Sequence, residues 1–513
     1  MHYFSAMFTI AILSFIILWM FYKYWVSNYK YWEDKGIPSI PGRFPFGSEA
    51  NLTLLRKFQG DMFLEMFRKF PSSPYFGLYF MRKPTLVIKD PEYVQVVLVK
   101  EFSSFRDRLL LKIPESDVLS QHLLNLEGDK WKALRSKLSP TFTSGRMKAM
   151  FPLFLKSSEA FDSLLESHVN SVIDVKDLAS RYTTDILCSC AFGLDTNVME
   201  DKDSELIQLG KNIFSVNLRL VLAFIITTTF PKLSEIFQFR CTPEKKESQL
   251  FVYNLVKETV KQREENNIKR KDFLDLLMQL KNKGSLDGEE EETEANVSHF
   301  VMDMERLAAQ CFVFFVAGYE TASTVQSFCL YELALNPAMQ ERVQTEIDRM
   351  EQLHAGVTYD AVKEMTYLDM VVSETMRKYP TVVNMSRMCT KTVTMPNGDT
   401  IEKGQFIFIP IWALHRSPEN FPDPDKFDPE RFSEENKHNI NPYAYIPFGE
   451  GPRFCIGKRF GLLQTKMGLI SILRKYSVEP CEVTQIPLKM SGEVPLTKTV
   501  EPIQLKLVKR KLS

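Results

Sequence analysis

The chain has 513 residues, 44% of them hydrophobic and 12% aromatic, which is enough apolar material for a large core. Lys plus Arg equals Asp plus Glu at 64 each, so no net field draws this chain to nucleic acid. The eight cysteines form no C-x-x-C pair or disulfide ladder, which suggests a reducing compartment, and the seven histidines show no zinc spacing.

Phe4 to Tyr22 carries no charged residue and is long enough to span a bilayer core. A cleaved signal peptide would bring a positive n-region, a shorter apolar core and a small-residue cleavage site, and none is evident. Residues 1–26 are read as a membrane anchor. Lys23, Lys30, Lys35 and Arg43 all lie after the apolar run, and no Lys or Arg precedes it. The positive-inside rule therefore puts the rest of the chain in the cytosol. Trp19, Tyr22, Tyr24 and Trp25 suit the membrane interface. Gly36 to Pro45 is a stiff proline linker within a hinge of residues 27–47. Residues 48–513 are read as the globular body.

Tyr75–Phe80 and Thr85–Ile88 read as a hairpin around Met81-Arg82-Lys83-Pro84. From Pro91 to about Lys283 the apolar residues recur mostly at helical spacing. Phe214–Phe230 is unusually apolar, as a buried helix or as a segment that dips into lipid. Lys281–Asn296 is polar, carries the acidic run Glu289–Glu292 and Glu294, and reads as a solvated loop. The sequon Asn296-Val297-Ser298 should stay unmodified in a cytosolic domain.

Met302 to Leu335 is one long helical pattern ended by Asn336-Pro337, with two more helices at Ala338–Gln352 and Met365–Lys378. Thr392–Met395 and Gln405–Ile409 flank Asn397-Gly398, a hairpin turn signal. Pro422 to Phe432 is a proline- and acid-rich meander. There is no βαβ alternation, so the expected class is mainly α with small β regions.

Four groups of residues carry chemistry. Pro447 to Gly457 sets one cysteine, Cys455, among glycines and prolines that fix a tight loop before an apolar helical run, Phe460–Leu473. A helix N-terminus and free backbone N–H groups there favour a thiolate. Such a thiolate is what a haem-thiolate iron site needs. Ala317-Gly318-Tyr319-Glu320-Thr321 lies midway along the long helix, where Val313, Ala317, Glu320, Thr321 and Thr324 share a face by spacing. An acid beside a hydroxyl there could deliver protons to a bound oxygen. The plain alternative is a packing glycine and a threonine bonded to its own helix. Glu374 and Arg377 are three apart on a helix and can pair. Trp131 and Arg135 lie one turn apart and can hold carboxylates.

Phe448, Gly451, Arg453, Cys455 and Gly457 match F-x-x-G-x-R-x-C-x-G, and the stretch resembles the haem-binding loop of the cytochrome P450 family. Ala317–Thr321 resembles that family's oxygen-activation motif, Glu374–Arg377 its E-x-x-R, and Pro429-Glu430-Arg431-Phe432 its meander motif. The likeness covers roughly residues 36–513. Ser139–Gly145 and Thr484–Lys489 are similar to the broad-substrate microsomal group of animals, including insect detoxification enzymes. The resemblance implies the cytochrome P450 fold, with residues 48–513 as its haem-thiolate catalytic domain. It implies haem b held by Cys455 as axial iron ligand, with Phe448 and Ala317 beside it. Trp131, Arg135, Arg387 and Arg453 would meet the propionates, with a further arginine at Arg106 or Arg108. Glu320 and Thr321 would serve proton delivery, and Arg431 would close a structural triad with Glu374 and Arg377.

Two electrons would come from NADPH through a separate flavoprotein, NADPH-cytochrome P450 reductase, with a b-type cytochrome as a second donor. The reaction implied is monooxygenation of apolar xenobiotics, lipids, steroids or terpenoids at the endoplasmic reticulum membrane. A haem-thiolate isomerase and a non-enzymatic haem sensor are the alternatives, and neither needs the Glu320-Thr321 pair. Lys130, Lys132, Lys137, Arg146 and Lys148, with Lys458, Arg459, Lys466, Arg474 and Lys475, are expected to form a basic surface for an acidic donor. Phe454 stands where many relatives carry Asn. Loops near Arg108–Leu126, Phe214–Phe230, Pro380–Met385 and Lys489–Glu493 would line an apolar pocket.

Overall fold

The computed structural model describes residues 2–108, 117–196, 198–201, 204–213, 225–226, 246–287, 301–493 and 496–510. The acidic run, the Asn296 sequon and all of Phe214–Phe230 except Ile225 and Ile226 lie outside the described residues.

Helix α1 (His2–Val26) carries no charged residue from Tyr3 to Tyr22, is almost wholly exposed, and is the one described helix long and apolar enough to cross a membrane. Its last turn does not simply lead away into a loop. Trp25 is buried and donates its indole N–H to the Pro45 carbonyl at 2.9 Å. The Arg82 guanidinium stacks 3.7 Å over the Tyr24 ring.

The proline linker also differs from expectation. Ile37 and Ile40 are buried, Gly77 N–H donates to Pro38 O at 2.8 Å, and Ile40 N–H donates to Gly77 O at 2.9 Å. Two isoleucines that can enter the core let a proline-fixed backbone dock along a strand instead of standing free.

That strand is β1 (Tyr75–Phe80), which pairs antiparallel with β2 (Lys83–Ile88) as the hairpin expected. The second expected hairpin is corrected. β3 (Met385–Met388) precedes β4 (Val393–Thr394), which pairs with β5 (Thr400–Ile401) across the Asn397-Gly398 turn. The run 405–409 instead supplies β6 (Phe406–Ile409), sandwiched between β2 in parallel and β3 in antiparallel register. Its mostly buried residues fit a central strand better than a free hairpin arm.

The helical body is organised on one helix of 32 residues, Met304–Leu335. Its Asp303 cap accepts from Arg306 N–H at 2.8 Å, and Pro337 opens the next helix. This long helix packs chiefly on Val175–Leu187 and Lys458–Leu473. Polar side chains link the three. Gln326 Nε2 donates to Gln464 O at 2.9 Å, and Gln464 Nε2 donates to Thr183 O at 3.1 Å. All three residues are buried, so each bond fixes one helix against another.

Candidate haem site

Two stretches carry the residues singled out above. On the long helix, Leu307–Val313 and Ala322–Ala334 are buried throughout, while Ala317 between them is exposed. The second is the cysteine loop. Cys455 N–H donates to Phe448 O at 2.8 Å, and Phe454 N–H donates to Gly451 O at 2.9 Å. Gly451 has φ +72°, and a Cβ there would lie 1.9 Å from Leu98 O. Only glycine fits. Gly457 caps the helix Lys458–Leu473, two residues longer at its start than the apolar run suggested.

The Cys455 side chain is exposed yet closely surrounded by protein. Burial pushes its thiol up, against the Gly457 N–H and the nearby Arg108, Arg135 and Lys458, which pull it down. The loop alone thus leaves the cysteine above its ordinary range. A coordinated metal would be what deprotonates it.

Cations crowd beside the loop. Arg387 is 1% exposed and Arg453 2%. Burial lowers Arg387 well below its ordinary value, with Arg108 and Arg453 adding like-charge repulsion. Burial first, and then Arg108, lower Arg453 to about 9. Arg108 is lowered to about 10, again by burial. The nearest acid is Asp107, 3.7 Å from Arg453. Arg453 Nε and Nη1, Arg387 Nε and Arg108 Nε have no partner among the described residues. Arg106 turns away to Asp129 at 3.0 Å, so of the two candidates it is Arg108 that enters the cluster, donating to Arg453 O.

Trp131 is buried beneath the Arg453 guanidinium, which sits 4.2 Å over its ring. Arg135 donates to Phe454 O at 3.0 Å and stacks 4.8 Å over the exposed Phe454 ring. Two buried guanidiniums and the half-buried Arg108, with Asp107 and Glu127 as the acids that act on Arg453, form a cluster short of negative charge. That is the donor set two propionate carboxylates would complete, so these residues fit a haem.

On the long helix the acid and the hydroxyl part company. Thr321 Oγ donates to Ala317 O at 2.7 Å, the helix-internal bond that was the plain alternative. Glu320 meets Lys176 Nζ at 2.9 Å, and that ammonium also bonds Ser323 Oγ at 2.8 Å and Thr324 Oγ1 at 2.7 Å. Burial lowers the Lys176 pKa, opposed chiefly by Glu320. Spacing placed Glu320 and Thr321 on one face but could not foresee Lys176, which arrives from 144 residues upstream.

Glu374 and Arg377 are fully buried and paired at 2.7 and 2.8 Å, while Arg431 reaches Glu374 at only 3.6 Å. Arg377 is further held by His415 O at 3.0 Å and Lys426 O at 3.2 Å.

The basic surface needs correction. Lys466 is buried, bonded to Val362 O at 2.7 Å and Asp369 at 2.9 Å. Arg474 and Lys475 both bond Asp162, Lys148 is tied to Asp360, and Lys137 and Arg146 bond backbone carbonyls. Lys130 and Lys132 are exposed on the Trp131 helix, and Lys458 and Arg459 are exposed after the loop. Spacing alone could not separate the buried lysine from these.

The model of the family described as Cytochrome P450 matches residues 41–507. The chain is 37% identical to Cytochrome P450 6a2 of Drosophila melanogaster over 98% of this chain and 99% of that one. It is 39% identical to Cytochrome P450 6k1 of Blattella germanica, over 95% and 94%. It is 36% identical to Cytochrome P450 6A1 of Musca domestica, over 91% of each. The family uses haem b with electrons drawn from NADPH through a reductase. A family match over most of the length, on a mainly helical body with small sheets, makes this chain a member of the cytochrome P450 family, a haem monooxygenase.

Proposed function

We propose that the chain is an anchored monooxygenase that inserts one oxygen atom into apolar small molecules from the cytosolic face of the endoplasmic reticulum. The proposed substrates are xenobiotics, lipids, steroids or terpenoids. The observation that carries the reading is the set of buried, under-compensated arginines beside Cys455. Haem b, when bound, would supply the iron chemistry that activates oxygen, and Cys455 would hold its iron.

The chain's own residues do the rest. Arg108, Arg387 and Arg453 bind the propionates and gain the negative charge their burial demands. Trp131 orients Arg453 by stacking against its guanidinium. Arg135 braces the loop through Phe454 O. Phe448 holds the Cys455 N–H, and Ala317 leaves room on the distal side. Glu320 is held by Lys176, and a proton passes from that pair toward Thr321 Oγ, which must leave the Ala317 carbonyl to donate. Glu374, Arg377 and Arg431 hold the proximal side. Lys130, Lys132, Lys458 and Arg459 present positive charge to NADPH-cytochrome P450 reductase, with a b-type cytochrome as a second donor.

Replacement of Cys455 by Ser tests the reading. The red-shifted Soret band of the reduced, carbon monoxide-treated protein should vanish, and NADPH-dependent product with it. A variant that keeps both would assign the iron to another ligand.

A further inference from the structure

A cleft of 270 Å³ lies away from the haem site, at the foot of the sheet. It is lined by Tyr31, Lys83, Met388, Lys403, Gln405 and Phe406, among others. Its one acid, Glu402, is already committed. Its carboxylate accepts from Tyr31 Oη at 2.9 Å and from Lys35 Nζ at 2.9 Å. Lys83 has no such relief. It opens β2, and among the described residues no carboxylate pairs with it. Burial first, and the neighbouring Arg82, lower its pKa, as expected of a cation lacking a counter-charge. Lys403 adds a second positive side chain to the rim.

The position of the cleft says what anion could reach it. Arg82, next in the chain to Lys83, bonds Tyr24 Oη at 2.8 Å and Tyr24 O at 3.1 Å, in the last turn of the membrane-spanning helix. Tyr31 lies just beyond the end of that helix. The end of a spanning helix, with its tyrosine and tryptophan side chains, sits among lipid headgroups. Lys83 is thus held at the depth where headgroup phosphates lie, beside a cleft large enough to admit one.

We propose that this cleft binds the phosphate of an anionic phospholipid, with Lys83 and Lys403 as its cationic ligands and Tyr31 and Gln405 at its walls. The site needs no haem, so it stands apart from the reading of the haem site. Its consequence is a preference for anionic bilayers beyond what the spanning helix alone provides.

The test uses the full-length, haem-loaded protein in nanodiscs of phosphatidylcholine with a minority of phosphatidylserine. Lipid retained on mild extraction is counted by native mass spectrometry. The wild type should retain phosphatidylserine above its bilayer share. At about 1 kcal/mol per basic residue near an anionic surface, Lys83→Gln should lower that enrichment about fivefold, and Lys403→Gln should act in the same direction. Lys83→Arg should restore it, and Lys498→Gln, exposed elsewhere, should not change it. Equal retention by wild type and Lys83→Gln, with both correctly folded by their carbon monoxide spectra, overturns the proposal. So does displacement of the lipid by inorganic phosphate at low concentration, which would make this a site for the free ion.

Discussion

Lys176 Nζ lies 2.9 Å from Glu320 Oε1 and also bonds the hydroxyls of Ser323 and Thr324. The acid of the long helix is therefore not free to wander, since a half-buried ammonium on a neighbouring helix fixes it one turn below two hydroxyls. Lys176→Met should leave haem binding intact and loosen Glu320. Product formed per NADPH should fall and peroxide should rise, with general acid–base effects of about 10²–10⁴ as the ceiling. Thr321→Ala should show the same pattern. Unchanged coupling in both variants would return this stretch to packing alone.

Lys132 and Lys466 should separate cleanly. Lys132 is exposed, and its reversal to Glu should slow electron delivery, more at low than at high ionic strength. Lys466 is buried against Asp369 and Val362 O, so Lys466→Glu should fail in folding, seen as lost expression and a lowered midpoint. A Lys466→Glu protein that folds normally but couples poorly would put that lysine back on the donor surface.

The triad should be unequal. Glu374 neutralises a fully buried Arg377, so Glu374→Ala strands that charge and should cost about 3–5 kcal/mol. Arg431 reaches Glu374 only at 3.6 Å and keeps a bond to Asp423 O, so Arg431→Ala should cost about 1 kcal/mol. Denaturant midpoints of the two variants measure the difference, and equal losses would contradict the long third side.

Acid should destabilise the fold through two histidines. Burial holds His122 and His415 to pKa values of about 3, against about 6.5 in the unfolded chain. Arg377 and Arg416 add repulsion at His415, whose Nε2 accepts from Ile446 N–H at 3.0 Å and needs the neutral ring. Between those limits the unfolded state takes up the proton and the folded state does not. Stability is therefore full above about pH 6.5 and falls as pH falls, by about 2 kcal/mol per histidine at about pH 5. The His122→Gln midpoint should depend less on pH in that range. An identical slope would place the acid response elsewhere.

What could be read from the sequence came from local rules. The cysteine loop was legible because glycine and proline spacing constrains backbone directly, and the long helix because its pattern runs unbroken from Met304 to its Asn336-Pro337 stop. The 3.6-residue spacing gave the right neighbours for Thr321, but a hydroxyl's choice between its own helix and a cleft is not periodic. Strand pairing was misassigned at 405–409 because an Asn-Gly turn announces a hairpin without saying how far its arms extend. Lys176, Lys466 and Lys83 were opaque for one reason. Whether a lysine is solvated, paired or stranded depends on segments far away in the chain.

Gly451 gives way to the Leu98 carbonyl, which sits where its side chain would be. The ligand loop is therefore shaped from outside as well as by its own glycines, and the backbone at Val96–Lys100 acts as the mould. A designer who grafted residues 447–457 into another scaffold would carry over the letters of the site without its form. The transplantable unit is the pair, and an insertion near Leu98 should harm the cysteine as surely as a change beside it.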